Sequence, residues 1–159
     1  MEIKITLASQ EHTNDIVELW SKLMEIHTAL DVTYFSKQFD SIDEYKSDIE
    51  WFIKSDSNIV FIAIVNDKIV GYSTAELVYF SNTFYNSNSI CAIRDIMIEP
   101  NYQHLGIGKS FIDEIKKWAK SVNIYKIELS VFSKNKSAYA FFKNQSFEDQ
   151  FHKLSINFN

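Results

Sequence analysis

The sequence predicts a single mixed α/β domain with a largely antiparallel sheet and one central parallel strand pair. Three observations predict it. Short apolar runs rich in Ile, Val and Phe alternate with longer stretches whose apolar residues recur every three to four positions. Two of the runs are separated by Asn66-Asp67-Lys68, a hairpin signal. Farther along, strand, amphipathic helix and strand follow one another directly, a right-handed crossover whose flanking strands run parallel.

Residues 2–8 alternate, with Ile3, Ile5 and Leu7 on one face, and predict a first strand. Thr13 or Asn14 can cap a helix whose stripe is Ile16, Leu19, Trp20, Leu23, Met24, His27 and Leu30. His27 lies on or beside that stripe, where a satisfied, partly buried ring competes with a catalytic or substrate role. Residues 31–40 form a connector carrying Tyr34, Phe35 and Phe39. Ser41-Ile-Asp-Glu44 is a capping box that opens a second helix through Lys54, with Tyr45, Ile49, Phe52 and Ile53 inward. Residues 58–65 and 69–80 predict the hairpin, with Gly71 marking a bulge or a close approach. The Asn- and Ser-rich stretch 81–89, with Phe84 and Tyr85, is a loop that packs locally or forms a rim over a pocket. Residues 90–98 form the central strand, 107–121 a helix, 126–132 a strand, and 136–144 a further helix. A last strand begins at Phe147 and ends in Leu154, Ile156 and Phe158.

At 159 residues the chain is one domain with a substantial core. A 46% hydrophobic and 15% aromatic content excludes a disordered chain. No apolar run approaches the roughly 20 residues that span a bilayer, and no basic leader with an apolar run suggests secretion. Cys91, the single cysteine, cannot form an internal disulfide and reads as a small buried hydrophobe ahead of a reactive nucleophile. The expectation is a cytoplasmic protein with no membrane partner. A net charge of −5 argues against a nucleic-acid partner. The charge is uneven: residues 1–58 carry −7 and residues 59–159 carry +2, so the second part suits a polyanion better. The acidic first part could attract a cationic amine or simply solvate helix faces.

Two of the three glycines and the only proline fall within residues 95–118. There Gly106 and Gly108 sit where the helix with stripe Ile107, Phe111, Ile112, Ile115, Trp118, Ala119 and Val122 begins. The first amides of a helix lack internal partners and carry the positive end of its dipole, so a strand–glycine loop–helix is a receptor for phosphate. A Walker loop is absent, because its first glycine would fall on Gln103, and the dinucleotide fingerprint Gly-x-Gly-x-x-Gly is absent too. What stands there is Gln103-x-x-Gly106-x-Gly108, and after the next strand Asn135-x-x-Ala138-x-x-Phe141-Phe142-x-x-x-Ser146-Phe147. The first resembles the acyl-CoA pyrophosphate loop of the GNAT-type N-acetyltransferase superfamily, and the second resembles that superfamily's Asn-x-x-Ala-x-x-Phe-Tyr-x-x-x-Gly-Phe signature. The two occur in the family's order, and the resemblance covers essentially the whole chain.

The resemblance implies a GNAT-like sheet of six to seven strands, mostly antiparallel, with a splayed central parallel pair and helices on both faces. It implies acetyl-CoA as cosubstrate, no metal, an amine acceptor bordered by the first two helices, and room for a homodimer. Backbone amides of Gln103, His104, Leu105, Gly106, Ile107, Gly108 and Lys109 would hold the pyrophosphate, while Met97 and Ile98 would pair with pantetheine. Asn135 and Phe142 match cofactor-side positions. Acetyl transfer to an amine needs a base, because an alkylammonium near pKa 10 is no nucleophile, and a donor for the thioester oxygen. Asp95 and Glu76, acids within apolar strands, are the candidate bases; alternatively Asp95 partners Arg94 or loop amides, and Glu76 faces solvent. Phe142 departs from the family's tyrosine, which protonates the departing sulfur, and Ser146 departs from its glycine. Tyr139 could take over the proton transfer. His104 reads as a surface residue. The reading is therefore an acetyl-CoA-dependent N-acetyltransferase acting on a primary amine of a small molecule, peptide or protein. The alternatives are a catalytically weak acyl-CoA-binding module and a nucleotide-binding domain.

Overall fold

A computed structural model of the chain describes residues 2–35, 42–81 and 88–158. Five strands form one sheet in the order β1-β2-β3-β4-β5: β1 Ile3–Leu7, β2 Asn58–Val65, β3 Lys68–Tyr79, β4 Ser89–Ile98 and β5 Ile127–Leu129. All neighbouring pairs are antiparallel except β4 and β5. The helices are α1 Thr13–Leu30, α2 Ile42–Lys54, α3 Ile107–Ser121 and α4 Lys136–Asn144.

The sheet separates two cores. On one face Ile16, Leu19, Trp20 and Leu23 of α1 and Ile49 of α2 pack on Val60, Ile62, Tyr72 and Met97. On the other, Ile107, Phe111, Ile112, Ile115 and Ala119 of α3 pack on Phe61, Ala63, Val65, Ala75, Cys91 and Ile93. The three- and four-residue spacings of the two helical stripes and the two-residue alternation of the strands converge on these layers. Tyr45, Phe52 and Ile53 pack beside Ile49, the inward set that the sequence predicts for α2. Ser41 of the capping box and Phe39, Phe84 and Tyr85 lie outside the described residues.

The β2–β3 hairpin turns at Asn66 and Asp67, whose φ values of 48° and 60° suit a primed turn. Gly71 answers both expectations. The register skips Val70 opposite Ala63/Ile64, and a Cβ on Gly71 would stand 2.8 Å from the Met97 carbonyl oxygen. Any side chain there would push β3 and β4 apart.

Three expectations are corrected. Thr13 does not cap α1: it lies inside the helix, its hydroxyl donating to the Gln10 carbonyl at 2.8 Å, because a single 3-10 turn at Gln10–His12 precedes the helix. Val122 lies past the end of α3 and is 40% exposed. The strand expected from Phe147 onward is not part of the sheet, so the described residues give five strands rather than six or seven. Phe147 packs on the α3-side core, but Phe151, Leu154, Ile156 and Phe158 are 81–90% exposed.

Candidate active site

The centre of the sheet carries an extra residue. Thr74 pairs with Asp95 and Ala75 with Ile93, so Arg94 has no opposite number on β3, a β-bulge. Pairing of β4 with β5 runs from Cys91↔Ile127 to Ile93↔Leu129 and stops one residue before that bulge. Beyond it β4 continues to Ile98 without β5 beside it. A bulge bends its strand and adds twist, which accounts for the separation of the parallel pair at this point.

The bulge also exchanges the two sides of the strand. Before it, the Cys91 amide donates to the Lys126 carbonyl, toward β5. After it, the Asp95 amide donates to Thr74 Oγ1 and the Glu99 amide to the Val70 carbonyl, toward β3. Alternation then turns the backbone of Met97 toward β3 and that of Ile96 and Ile98 to the unpaired edge. Side chains follow the same switch: Cys91 and Ile93 sit in the α3-side core, Met97 in the α1–α2 core. Of the two residues expected to offer backbone groups to pantetheine, Ile98 faces the opening and Met97 does not. Ile96 faces it as well, an orientation that only the bulge reveals. The Ile98 carbonyl accepts from Gln103 Nε2 at 3.1 Å, tying the loop to the end of the strand.

Residues 99–106 join that edge to α3. Gly106 is the N-cap of α3 at φ 87°, and no side chain caps the helix. This left-handed conformation is natural for glycine, and nothing lies within 4 Å of where its Cβ would be. His104 shares the left-handed region at φ 62°; it is exposed, as is Leu105 at 43%. The first amides of α3 at Ile107, Gly108 and Lys109 thus form the open positive end of a 15-residue helix. Gly108 has a different reason for lacking a side chain: a Cβ would meet Phe141 Cζ at 2.8 Å, so its absence lets α4 approach α3. Lys109 pairs with Asp113 one turn on.

Asp95 projects to the α1–α2 side. Its Oδ2 accepts from the Tyr45 hydroxyl at 3.0 Å, and the Tyr72 hydroxyl lies 3.0 Å from the Tyr45 oxygen. A hydroxyl has one proton, so with Asp95 ionised Tyr45 donates to the carboxylate and accepts from Tyr72. Trp20 stacks on Tyr45 at 4.1 Å and 11°, fixing its ring. Burial raises the Asp95 pKa above the ordinary carboxylate value, against the lowering effect of the Tyr45 hydrogen bond and Arg94. Burial likewise raises both phenols and lowers His27, whose charged form the Asp95 carboxylate favours. His27 Nδ1 is buried without a hydrogen-bond partner among the described residues, and its ring stacks on Phe35 at 5.0 Å. Tyr45 was legible as an inward residue of α2, but nothing in the sequence singled out Tyr72 as the second hydroxyl.

The remaining candidates have other engagements. Glu76 accepts from Arg94 at 2.9 Å across the β3–β4 pair, so Arg94 partners Glu76 rather than Asp95. Asn135 caps α4, its Oδ1 accepting from the Ala138 amide at 3.1 Å. Phe142 packs edge-on against Phe141 and Phe147. Tyr139, 43% exposed, donates its hydroxyl proton to Asp149 at 2.9 Å, which raises the phenol pKa. Cys91 is fully buried and its thiol pushed up to about 11, the inert hydrophobe expected. Glu99, which the sequence did not single out, closes β4 with ion pairs to Lys22 of α1 at 2.9 Å and Lys68 of β3 at 2.7 Å.

A recess of about 260 Å³ opens between β4 and β5, lined by Ala92, Arg94, Glu128, Leu129 and Ser130 among others. Among the described residues no group of three or more His, Cys, Asp or Glu could hold a metal ion. Among them, too, no helix is long and apolar enough to cross a membrane.

A mixed sheet with a parted parallel pair, helices on both faces and a glycine loop at the parting is the architecture of the GNAT acetyltransferases. Residues 19–147 match the acetyltransferase (GNAT) family, and the chain belongs to it. It is 27% identical over 142 residues to an uncharacterized N-acetyltransferase of Methanocaldococcus jannaschii, covering 89% of this chain and 59% of that protein. The chain therefore spans about three-fifths of that relative's length. In fold it is similar to a mutant of the BH1408 protein from Bacillus halodurans, with a TM-score of 0.89, 19% identity, and 98% and 99% of the two chains covered. It is also similar to a Clostridium acetobutylicum protein described as a predicted acetyltransferase and solved with acetyl-CoA, with a TM-score of 0.79, 20% identity, and 98% and 96% covered. An aminoglycoside 6'-N-acetyltransferase from Acinetobacter baumannii matches with a TM-score of 0.77 at 14% identity, covering 99% of each chain.

Proposed function

We propose that the protein transfers the acetyl group of acetyl-CoA directly to a primary amine of a small molecule, peptide or protein. The observation that carries this reading is the conjunction of an unpaired strand edge and an uncapped helix start, joined by residues 99–106. An extended pantetheine can add to the edge at Ile96 and Ile98 as a further strand would. The α3 amides from Ile107 to Lys109 then meet the pyrophosphate. Gln103 supplies the tether that keeps loop and edge together.

In the proposed reaction the amine nitrogen attacks the thioester carbonyl, the N–C bond forms and the C–S bond breaks. The proton leaving nitrogen passes through water to Asp95. A carboxylate held above its ordinary pKa is a better base than one in water, and the Tyr45 and Tyr72 hydroxyls steady its charge. Glu76, already neutralised by Arg94, is the lesser candidate. The leaving thiolate, of ordinary pKa about 8.5, departs without an acid. Tyr139 is not assigned that role because its proton is directed to Asp149. Tyr139→Phe is accordingly expected to change kcat by less than about threefold, under ~0.7 kcal/mol of barrier; a loss of two orders of magnitude would restore it as the acid.

Calorimetry with acetyl-CoA, CoA and ATP tests the donor side. Binding of the first two without ATP is expected, and binding of ATP alone would move the protein to the nucleotide-binding reading. Thiol release over a panel of amines, measured against the rate without amine, then separates a transferase from a module that only holds acyl-CoA.

A further inference from the structure

We propose that the recess between β4 and β5 selects an α-amino acid with an apolar side chain as acceptor, Arg94 holding the carboxylate beside the amine that Asp95 deprotonates. This inference rests on the transferase reading above and adds the chemistry of the acceptor.

The bulge carries it. Strand neighbours ordinarily point to opposite faces of a sheet. Arg94 and Asp95 do not. Asp95 reaches Tyr45 on the α1–α2 side. Arg94 reaches Glu76, which alternation puts on that same face because Ala75 and Leu77 pack in the α3-side core. A cation and a base therefore face one side together, from Cα atoms about 3.8 Å apart. In an α-amino acid the carboxylate and the amine likewise leave adjacent points, a single carbon. The same alternation turns Ile90 and Ala92 to this face, since Cys91 and Ile93 lie in the α3-side core. Pairing of Ala92 with Glu128 and Ile93 with Leu129 brings Ser130 level with Arg94, where the strands part. Arg94 and Ser130 thus flank the recess at its mouth, and Ile90 and the short Ala92 leave an apolar floor for a side chain.

Charge decides between acceptor classes. The acids around the recess are spent: Glu76 accepts from Arg94 at 2.9 Å and Glu128 pairs with Lys126 at 2.6 Å. Arg94 is not. Its side chain is 57% exposed, and among the described residues its bond runs from Nη1 to Glu76, leaving most of a guanidinium's five N–H donors. Glu76 holds the guanidinium over the recess, and a planar fork with spare donors suits a carboxylate. The Ser130 hydroxyl can donate from the opposite wall. A polycationic acceptor would meet the like charge of Arg94 instead. Transfer keeps the balance already given: N–C forms, C–S breaks, and the α-amino proton passes through water to Asp95.

Thiol release with leucine, methionine and phenylalanine should exceed that with 3-methylbutylamine, 3-(methylthio)propylamine and 2-phenylethylamine, their decarboxylated counterparts. The expected margin is at least about tenfold in kcat/KM, roughly 1.4 kcal/mol, expressed in KM. Leucinamide, which keeps the bulk and loses the charge, should behave as 3-methylbutylamine does. In Arg94→Gln the acid-to-amine ratio should fall to within about twofold of one, and Arg94→Lys should restore part of it. Ser130→Ala, at an exposed position, should lower the ratio about threefold and serves if Arg94→Gln does not fold. A variant that slows both members alike and keeps the ratio overturns the proposal, because a merely structural role does that. So does a parent whose ratio is near one, or one that prefers spermidine or the phosphonate analogue of leucine. Calorimetry with CoA present reads the recess without turnover: leucine should bind, and at least about tenfold more weakly in Arg94→Gln. Failure of all three amino acids to bind overturns the proposal. Binding that depends on Arg94 without thiol release from any amine sinks the transferase and keeps the amino-acid site. Thiol release at a ratio near one does the reverse.

Discussion

An Asp95→Asn variant is expected to lose about 10²- to 10⁴-fold in kcat/KM for amine acetylation while melting higher than the parent protein near pH 7. The two effects have one cause. Burial favours the neutral form of the carboxyl, so its folded-state pKa lies above that of the unfolded chain. Well below the ordinary value of 3.8, the group carries its proton in both states and costs nothing. As pH rises from there, the unfolded chain releases the proton first, and folding weakens until pH has passed the raised value. Above it the full penalty is present. Asparagine cannot ionise, keeps an oxygen for the Tyr45 hydroxyl, and removes that penalty. The melting difference between variant and parent should therefore vanish at low pH and grow toward neutrality. The parent's kcat/KM should rise through the same window as the base forms, and the variant should lose that limb. An equally active variant would dismiss Asp95 as the base. A variant with a lower melting temperature at pH 7 would show that the carboxylate is held by more than it is opposed.

Gly106→Val should weaken acetyl-CoA binding at least about tenfold, roughly 1.4 kcal/mol by calorimetry. At φ 87° a branched side chain opposes the backbone itself, at about 1–2 kcal/mol. The surrounding space is empty, so no clash adds to the penalty. The chain relieves the strain by rotating the peptides that aim the first α3 amides. Gly106→Asn is the discriminating control, because asparagine tolerates the left-handed region and should retain most of the affinity. Equal losses in both variants would mean that the missing side chain matters, not the backbone angle.

Much of this architecture was legible because its signals are local. The stripe of α3, the span of α4 and the Asn66-Asp67 turn follow from spacing and turn chemistry within a few residues. The loop was legible too, since a chain with three glycines that places two of them at one helix start advertises that position. What escaped was whatever depends on contacts across the sheet. An extra residue at Arg94 leaves no mark in an apolar strand, yet it decides which of Ile96, Met97 and Ile98 faces the opening. Asn135 reads as a ligand position and serves as a helix cap, a role its Asn-x-x-Ala spacing equally permits. Tyr72 is one aromatic among many until α2 brings Tyr45 beside it. The alternation at Leu154, Ile156 and Phe158 predicted a last strand, but these residues join no strand of the sheet. Periodicity records a segment's preference, not whether a neighbouring strand is there to pair with it.

Arg94 fixes where the sheet parts. Excise that single residue and the pleat of β4 would run without interruption, leaving the gap beside β5 free to zip closed. Asp95, then the direct neighbour of Ile93, would by alternation still point toward α1 and α2. One insertion thus governs the doorway for the donor while the base stays where it stands.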